Sequence, residues 1–318
     1  MDAQSLRCFL RIAELGSFGR AAQVLNLSQP TLSRRIALLE RELHAQLFVR
    51  HQRGISLTPA GLTLSTRALS VVRQLDELQE DVATLDREPS GSIAIGLPPS
   101  LVAVINGPLI EMYSRKFPRV NLFIHEGISN LVGDKLVDGE LDMALMFSTR
   151  SHLRNTSVKI LATEEMVLAS APARSPSKPQ LTMSDISTLP LVLYKLPNYI
   201  RWRVDVAFQQ LDLQPKIASE TNTLSMLLEL ARRGVGSAIL PRSAVQQDVS
   251  HNLLTAIPIR GMSVKWTLAT RRDREHSPAI QELIKCLEAL VLKQIKAGKW
   301  KASLQTRTGA TEAKRRAL

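Results

Sequence analysis

Long apolar runs are missing from this sequence of 318 residues: the longest, Leu101–Ile105 and Leu189–Leu193, are far shorter than the roughly 20 residues of a transmembrane helix. The first 20 residues also lack the basic segment and apolar stretch of a secretory signal. Cysteine is scarce, because only Cys8 and Cys286 occur, at opposite ends of the chain. We therefore expect neither a disulfide framework nor structural zinc, and the sequence favours a cytoplasmic location with reduced thiols.

Motifs of the common enzyme classes are absent as well. The sequence contains no His-Glu-x-x-His, no Gly-x-Ser-x-Gly and no phosphate-binding loop with Gly-Lys-Ser/Thr. The six histidines are scattered, and only His125 ends a predicted strand near a predicted cleft. We therefore expect no enzyme activity, no bound metal and no cofactor.

Lysine does not occur before Lys116, so every positive side chain in the first third of the chain is an arginine. The formal net charge of +12 is divided unevenly: residues 1–58 carry +4, residues 59–88 carry −3 and residues 299–318 carry +5. Guanidinium groups suit paired hydrogen bonds to phosphate and guanine, which favours an anionic partner. A genome rich in arginine codons would give the same bias.

The amino-terminal segment has the pattern of a helix-turn-helix unit over residues 18–43. Ser17 and Ser28 stand where helix caps are needed, and Pro30 fits the first turn of the second helix. That helix leaves a polar face outward near its start, formed by Gln29, Thr31, Ser33, Arg34 and Arg35. Such side chains can reach bases and phosphates in a major groove. The alternative is an ordinary helical hairpin with a solvated face.

A basic hairpin and a long helix follow. Leu47–Arg50 and Ile55–Leu57 are short β-prone runs around a turn that contains Arg53 and Gly54. The next helix starts at Thr58-Pro59 and continues to about residue 86. Its apolar positions recur at near-heptad spacing: Leu62, Leu69, Val72, Leu75, Leu78, Val82 and Leu85. This stripe predicts a partner helix, because an isolated helix cannot bury it.

Beyond the linker Pro89-Ser90-Gly91, predicted strands alternate with helices, the first two helices at 101–117 and 129–137, which indicates an open parallel α/β sheet. The sequence therefore predicts a helix-turn-helix domain with a β-hairpin over 1–58, a linker helix over 59–88 and an α/β domain over 89–297 in which a second unit of alternating strands and helices begins at about residue 162. Residues 298–318 are basic and lack an apolar pattern, so they predict a disordered tail.

The run AELGSFGRAAQVLNLSQPTLSRRIALLERELHAQLFVRHQRGISLTPAG resembles, without gaps, the amino-terminal winged helix of LysR-type transcriptional regulators. The segments GSIAIGLPPSL, LVDGELDMALMF and ARRGVGSAILP resemble the effector-binding domain of that family, a two-lobed fold similar to periplasmic binding proteins. The GLPPS and HEG segments resemble its nitrogen-assimilation-control branch. The resemblance covers nearly the whole chain apart from the tail. It implies a winged helix-turn-helix domain over 1–58, a dimerising linker helix over 59–88 and a two-lobed effector-binding domain over 89–297, with the second lobe at about 162–265.

This resemblance implies roles for individual residues near the amino terminus. Gln29, Pro30, Ser33 and Arg34 match the positions that the family presents to the major groove. Arg53 matches the wing that enters the adjacent minor groove. The helix from residue 59 matches the linker helix through which the family dimerises, with the seam expected at Leu69, Val72, Leu75, Leu78 and Val82.

Effector contacts are expected beyond the carboxyl ends of the strands, where helix N-termini favour anions. Pro99 and Ser100 follow the first strand, Ser129 follows the second, and Phe147 and Ser148 end the third. Ser100 and Ser129 match positions that hold effector carboxylates in relatives, although each serine could serve only as a helix cap. The second lobe would add Tyr199, Arg201 and Asn222. We therefore expect a small anionic effector such as an organic acid.

Together, these features predict a cytoplasmic transcriptional regulator that binds an interrupted palindrome of double-stranded DNA as a homodimer or homotetramer. A small effector would shift it between two states, and RNA polymerase is a further expected partner. The alternatives are a solute-binding protein of a transporter, an enzyme on an α/β scaffold, and a regulator that acts constitutively without an effector.

Overall fold

A computed structural model describes residues 1–51, 54–83, 88–147 and 153–304. The chain divides into two compact units. One unit comprises Met1–Gly91 with Asp138–Glu140, and the other comprises Ser92–Val137 and the chain from Leu141 onward. Within the described residues, no helix has the length and apolar character needed to cross a membrane.

The amino-terminal unit is helical with one β-hairpin. Its elements are α1 (Ala3–Leu15), α2 (Phe18–Val24), α3 (Gln29–Glu42), β1 (Phe48–His51), β2 (Gly54–Leu57) and α4 (Pro59–Ala83). The predicted caps are present, because Ser17 Oγ accepts a hydrogen bond from the Arg20 amide and Ser28 Oγ accepts one from the Thr31 amide. The core lies where the helices meet the hairpin, and Phe48 contacts the rings of Phe9 and Phe18.

Close packing joins the start of α4 to the segment that leads into β1. Thr58 Oγ1 donates to the carbonyl of Gln46 at 2.6 Å and accepts from the Gly61 amide at 2.9 Å. A Cβ at Gly61 would lie only 2.1 Å from the carbonyl oxygen of Leu47. Glycine is therefore required at this contact, because no side chain fits between the two backbones.

The second unit is an α/β domain whose helices lie between or after its strands. Its elements are β3 (Gly91–Leu97), α5 (Gly107–Lys116), β4 (Val120–Glu126), α6 (Ser129–Val137), β5 (Met143–Phe147), β6 (Thr156–Ser170), α7 (Met183–Ser187), β7 (Pro190–Tyr194), α8 (Tyr199–Gln209), β8 (Lys216–Thr221), α9 (Leu224–Arg232), β9 (Ser237–Pro241), α10 (Arg242–Ser250), β10 (Thr255–Arg271), α11 (Pro278–Lys296) and β11 (Ala302–Leu304).

The strand order is β4-β3-β5-β10-β6-β9-β7-β8, with β11 added to β6. The predicted open parallel sheet is in fact mixed: β3 pairs with β5 and β7 with β8 and β9 in parallel, but β10 is antiparallel to β5 and β6. Long antiparallel strands were missed because Pro258 and Gly261 interrupt the β-prone pattern of the sequence, although β10 continues through both residues.

The strands β6 and β10 run through both lobes of the domain. The first lobe contains β3, β4 and β5 together with residues 156–165 of β6 and 263–271 of β10. The second lobe contains β7, β8 and β9 together with residues 166–170 of β6 and 255–258 of β10. The register of the two long strands shifts between Pro258 and Ser263, where the lobes meet.

Two further expectations are corrected by the elements themselves. The predicted helix over 101–117 is α-helical only from Gly107, because Val102–Asn106 forms a π-helical turn ahead of Pro108, which lacks an amide hydrogen. The tail is not disordered from residue 298, because Trp300 is buried and Ala302–Leu304 pairs with β6. Residues 305–318 lie outside the described part of the chain.

Candidate DNA-binding surface and effector pocket

The outward face of α3 carries the residues that the sequence singles out for DNA contact. Gln29, Pro30, Thr31 and Arg34 are exposed, and Ser33 is half-buried. The opposite face of the helix is fixed in the core by Leu32, Ile36 and Leu39. The polar side chains near the start of α3 are therefore open to solvent, while the apolar face holds the helix in place.

Polar contacts set the direction of α3 and of the hairpin beside it. Ser28 Oγ lies 2.7 Å from Thr31 Oγ1, so the hydroxyl of Thr31 is already engaged in the cap. The carboxylate of Glu40 accepts a hydrogen bond from the Leu47 amide at 2.7 Å, which ties the end of the helix to the start of β1. Arg53 lies outside the described residues, so its role in the wing stays a prediction.

The apolar stripe of α4 divides into a buried part and an exposed part. Val72 is buried with Leu6 and Ala68 in the core of its own unit, so it is not available for the predicted seam between subunits. Leu69 and Leu78 are 52% and 61% exposed, and Leu75 is exposed as well. The side chain of Val82 lies outside the described part of the chain.

A small pocket lies between the two lobes of the second unit, where several strands end. Its lining combines hydroxyl, amide and aromatic side chains with prolines: Pro98, Pro99, Ser100, Ile128, Ser129, Phe147, Tyr194, Asn198, Tyr199 and Ile200. Strands β3 and β5 of the first lobe and β7 of the second end there. The carboxyl ends of parallel strands are where an open α/β sheet binds ligands.

The structure brings five of the predicted effector residues together in this pocket: Pro99, Ser100, Ser129, Phe147 and Tyr199. Ser129 Oγ accepts a hydrogen bond from the Phe147 amide at 3.0 Å, which leaves its hydroxyl hydrogen able to donate elsewhere. The Phe147 and Tyr199 rings stack with their centroids 5.8 Å apart. The cavity volume of about 20 Å³ is close to the space of one water molecule.

Arg201, which the sequence offered as an effector contact, is engaged elsewhere. Its Nε lies 2.8 Å from a carboxylate oxygen of Asp205, and its Nη1 contacts the carboxylate of Glu220 and the carbonyl of Tyr194. The side chain is only 11% exposed and does not line the pocket. Its cationic group therefore serves to join α8 to β7 and β8.

Asn222 and Ser148 are the remaining predicted effector residues. Asn222 is exposed beyond the end of β8 and does not line the pocket. Ser148 lies outside the described residues.

The sequence interpretation did not include Tyr194 and Asn198, although the criteria that selected the other pocket residues also apply to these two. Tyr194 ends a parallel strand, and the Asn198 side chain caps α8 by accepting from the Ile200 amide at 2.9 Å.

Burial governs the ionisation of the pocket's phenols. It raises the pKa of Tyr194 and Tyr199 above the ordinary value for tyrosine, so both hydroxyls stay neutral at physiological pH. The lining contains no cationic or anionic side chain among the described residues. A ligand in this pocket would therefore meet neutral hydrogen-bond donors and ring surfaces.

Comparisons with known proteins agree with this architecture. Residues 3–62 match the model for bacterial regulatory helix-turn-helix proteins of the lysR family, and residues 86–291 match the LysR substrate binding domain. The nitrogen assimilation regulatory protein Nac of Escherichia coli strain K12 is 30% identical over 297 residues, which cover 92% of this chain and 95% of the relative.

Solved structures give the same result for the fold. A full-length OxyR variant from Pseudomonas aeruginosa is 25% identical with a TM-score of 0.68, and the match covers 92% of this chain and 94% of that chain. Full-length CbnR complexed with its target DNA is 19% identical with a TM-score of 0.68, covering 91% and 100%. The predicted fold class, a winged helix-turn-helix, a linker helix and a two-lobed effector domain, is confirmed. The chain belongs to the LysR family of bacterial transcriptional regulators.

Proposed function

We propose that this regulator reads DNA through α3 and changes its DNA binding when a small organic acid enters the pocket between the two lobes. One observation carries the proposal: Phe147 from the first lobe and Tyr199 from the second stack across the pocket. Because the closed cavity has room for about one water molecule, a larger ligand must separate these rings. Ligand entry therefore changes the relation between the lobes.

The anionic character of the effector rests on hydroxyl and amide donors rather than on a cation. Ser100 and Ser129 stand at turns that begin helical segments, where backbone amides favour negative charge. Since Arg201 is paired with Asp205, a carboxylate would be held by neutral donors. This predicts modest affinity and a compact ligand.

On DNA, Gln29 and Arg34 would contact base edges, while Ser33, Thr31 and Arg53 would contact phosphates or the minor groove. Two such units joined through α4 would read an interrupted palindrome, and pairing of dimers would give a tetramer. This activity places the protein in the cytoplasm, with RNA polymerase as a second macromolecular partner. The alternative is a regulator that acts constitutively without an effector, and the experiment below distinguishes the two possibilities.

The test measures the affinity of the full-length protein for a selected genomic DNA site, with and without each member of a panel of organic acids. At least one acid should change the affinity severalfold. Ser100→Ala combined with Ser129→Ala should abolish that response while the affinity without acid stays the same. Ser184→Ala, an exposed serine of α7, serves as the matched control. An unchanged response in the double variant would refute the pocket assignment, and no response to any acid would favour constitutive action.

A further inference from the structure

The segment Lys299–Leu304, which we call the carboxyl-terminal strap, packs against the second unit. The indole of Trp300 is only 1% exposed and meets Trp266 edge to face, with ring centroids 6.2 Å apart. Beyond it, Ala302–Leu304 pairs antiparallel with residues 162–164 of β6. The strap is therefore a defined wall of the domain, held by apolar contact on one side and by backbone hydrogen bonds on the other.

A cavity of about 130 Å³ lies between the strap and α10. Its lining residues are Arg242, Val245, Gln246, Val249, Ala256, Gly298 and Lys301. Val245 is fully buried and Val249 packs against the main core, so the floor of the cavity is apolar and fixed. None of these residues lines the pocket between the lobes.

The volume sets the size of a possible occupant. An apolar cavity of about 150 Å³ inside a protein accepts benzene. The space under the strap is therefore suited to the hydrocarbon body of a molecule with about six carbon atoms. A nucleotide or a long acyl chain would not fit.

The charged side chains that line the cavity determine which polar group the occupant can carry. Arg242 and Lys301 both line the cavity, and within the described ranges neither side chain makes a hydrogen bond or ion pair. Two acidic side chains of the surrounding elements are engaged elsewhere: Asp248 pairs with Arg232 at 2.7 Å, and Glu164 accepts hydrogen bonds from Ser243 and Trp266. Two cations beside an apolar floor select an anion attached to a compact hydrocarbon.

We propose that the cavity under the carboxyl-terminal strap is a second small-molecule site, which takes a monocarboxylate with a compact cyclic or branched hydrocarbon body. The carboxylate is held by Arg242 and Lys301, with the Gln246 amide beside them. The hydrocarbon rests on Val245, Val249 and Ala256. The ligand thereby joins α10 to the strap.

The test uses the full-length protein with cyclohexanecarboxylate as the probe and cyclohexylmethanol as its neutral counterpart. Titration calorimetry should show saturable binding of the carboxylate, and the alcohol should bind at least tenfold more weakly. Arg242→Gln combined with Lys301→Gln should raise the Kd of the carboxylate at least tenfold. Lys299→Gln, an exposed lysine of the strap outside the cavity lining, should leave the Kd unchanged.

Two further variants distinguish binding under the strap from binding in the pocket between the lobes. Ala256→Leu should block binding by filling the floor of the cavity, independently of the charges. Ser100→Ala with Ser129→Ala should leave the Kd unchanged, because those serines belong to the pocket between the lobes. The proposal is overturned if the carboxylate does not bind saturably, if the charge variant binds like the parent, or if the serine variant loses binding.

Discussion

The rings of Phe147 and Tyr199 stack across the boundary between the two lobes, with their centroids 5.8 Å apart and their planes inclined by 18°. Each ring comes from a different lobe, and the Phe147 ring also packs on the ring of Trp266 in the first lobe, with centroids 4.2 Å apart. The contact therefore joins the two lobes at the position where a ligand would have to enter.

This contact predicts an energetic coupling between the two residues. In a double-mutant cycle of Phe147→Leu and Tyr199→Ala, the coupling in the free energy of unfolding should be about 0.5–1.5 kcal/mol, the range of aromatic pairs beyond their buried area. Urea denaturation of the four proteins measures it. Tyr199→Phe keeps the ring and should retain the coupling. Additive single effects would show that the rings do not stack in solution.

Arg34 should contribute to specific DNA binding. Arg34→Ala should weaken binding to the specific site by about 1–3 kcal/mol and relax the preference at one base position, as expected for loss of a guanine contact. Fluorescence anisotropy with the site and its single-base variants measures both effects. Arg11→Ala, on α1 and paired with Glu14, is the control and should change neither. Equal losses in the two variants would indicate a general effect of charge.

The exposed leucines of α4 should lie in a seam between subunits. Leu69→Asp with Leu78→Asp would place unpaired charge in that seam, which costs several kcal/mol, so the assembly should dissociate. Sedimentation velocity should show smaller species at the same protein concentration. Leu253→Asp, at an equally exposed leucine of the second unit, is the matched control. An unchanged mass for the α4 variant would mean that the stripe is not an interface.

Glu164 predicts a pH dependence of stability. Burial raises its pKa above the usual 4.5, although hydrogen bonds from Trp266 and Ser243 oppose this shift. The folded protein therefore holds the proton more tightly than the unfolded chain, so this stabilising contribution is complete below pH 4.5 and is lost as the pH rises through the folded pKa.

The measurement compares the free energy of unfolding of the parent and of Glu164→Gln between about pH 4.5 and pH 8. Relative to the variant, the parent should lose stability as the pH rises. Glu165→Gln alters the exposed neighbour on the other face of β6 and should follow the parent at every pH. A constant difference between the parent and Glu164→Gln would contradict the raised pKa.

Gly61 should be intolerant of any side chain. Gly61→Ala would place Cβ 2.1 Å from the Leu47 carbonyl oxygen, so the start of α4 must move, at a cost of at least about 1–3 kcal/mol. Thermal unfolding should show a lower Tm for the amino-terminal unit. At Gly19, in α2, the same substitution meets its nearest atom at 3.8 Å and should be neutral or stabilising. Similar Tm changes at the two glycines would be inconsistent with this contact.

Much of the amino-terminal unit follows from local signals in the sequence. Ser17, Ser28 and Thr58 each cap a helix as predicted, because a cap needs only the side chain and the next three backbone amides. The limits of α6 were also predicted correctly, from Ser129 to Val137. Local chemistry therefore predicted where these helices begin.

The incorrect predictions concern side chains whose contact partners are distant in sequence. Arg201 has the right charge for an effector contact, but its guanidinium is paired with the carboxylate of Glu220, which lies 19 residues further along the sequence. Val72 shares the spacing of an intersubunit seam, yet Leu6 covers it. Trp300 stands in a polar tail without periodicity, and that segment is fixed by its contact with Trp266 and by the pairing of Ala302–Leu304 with β6. Residue type and spacing do not specify which of several possible partners a side chain meets.

The division of the lobes along the chain affects the order in which this protein can fold during synthesis. The second lobe is continuous from residue 166 to residue 258, whereas the first lobe needs residues 263–271 of β10 between β5 and β6. The edge of β5 in the first lobe therefore stays unpaired during synthesis until about a hundred further residues have been added to the chain. A chain that terminates before residue 263 leaves the edge of β5 accessible to other chains. Premature termination therefore favours aggregation rather than the formation of a shorter functional regulator.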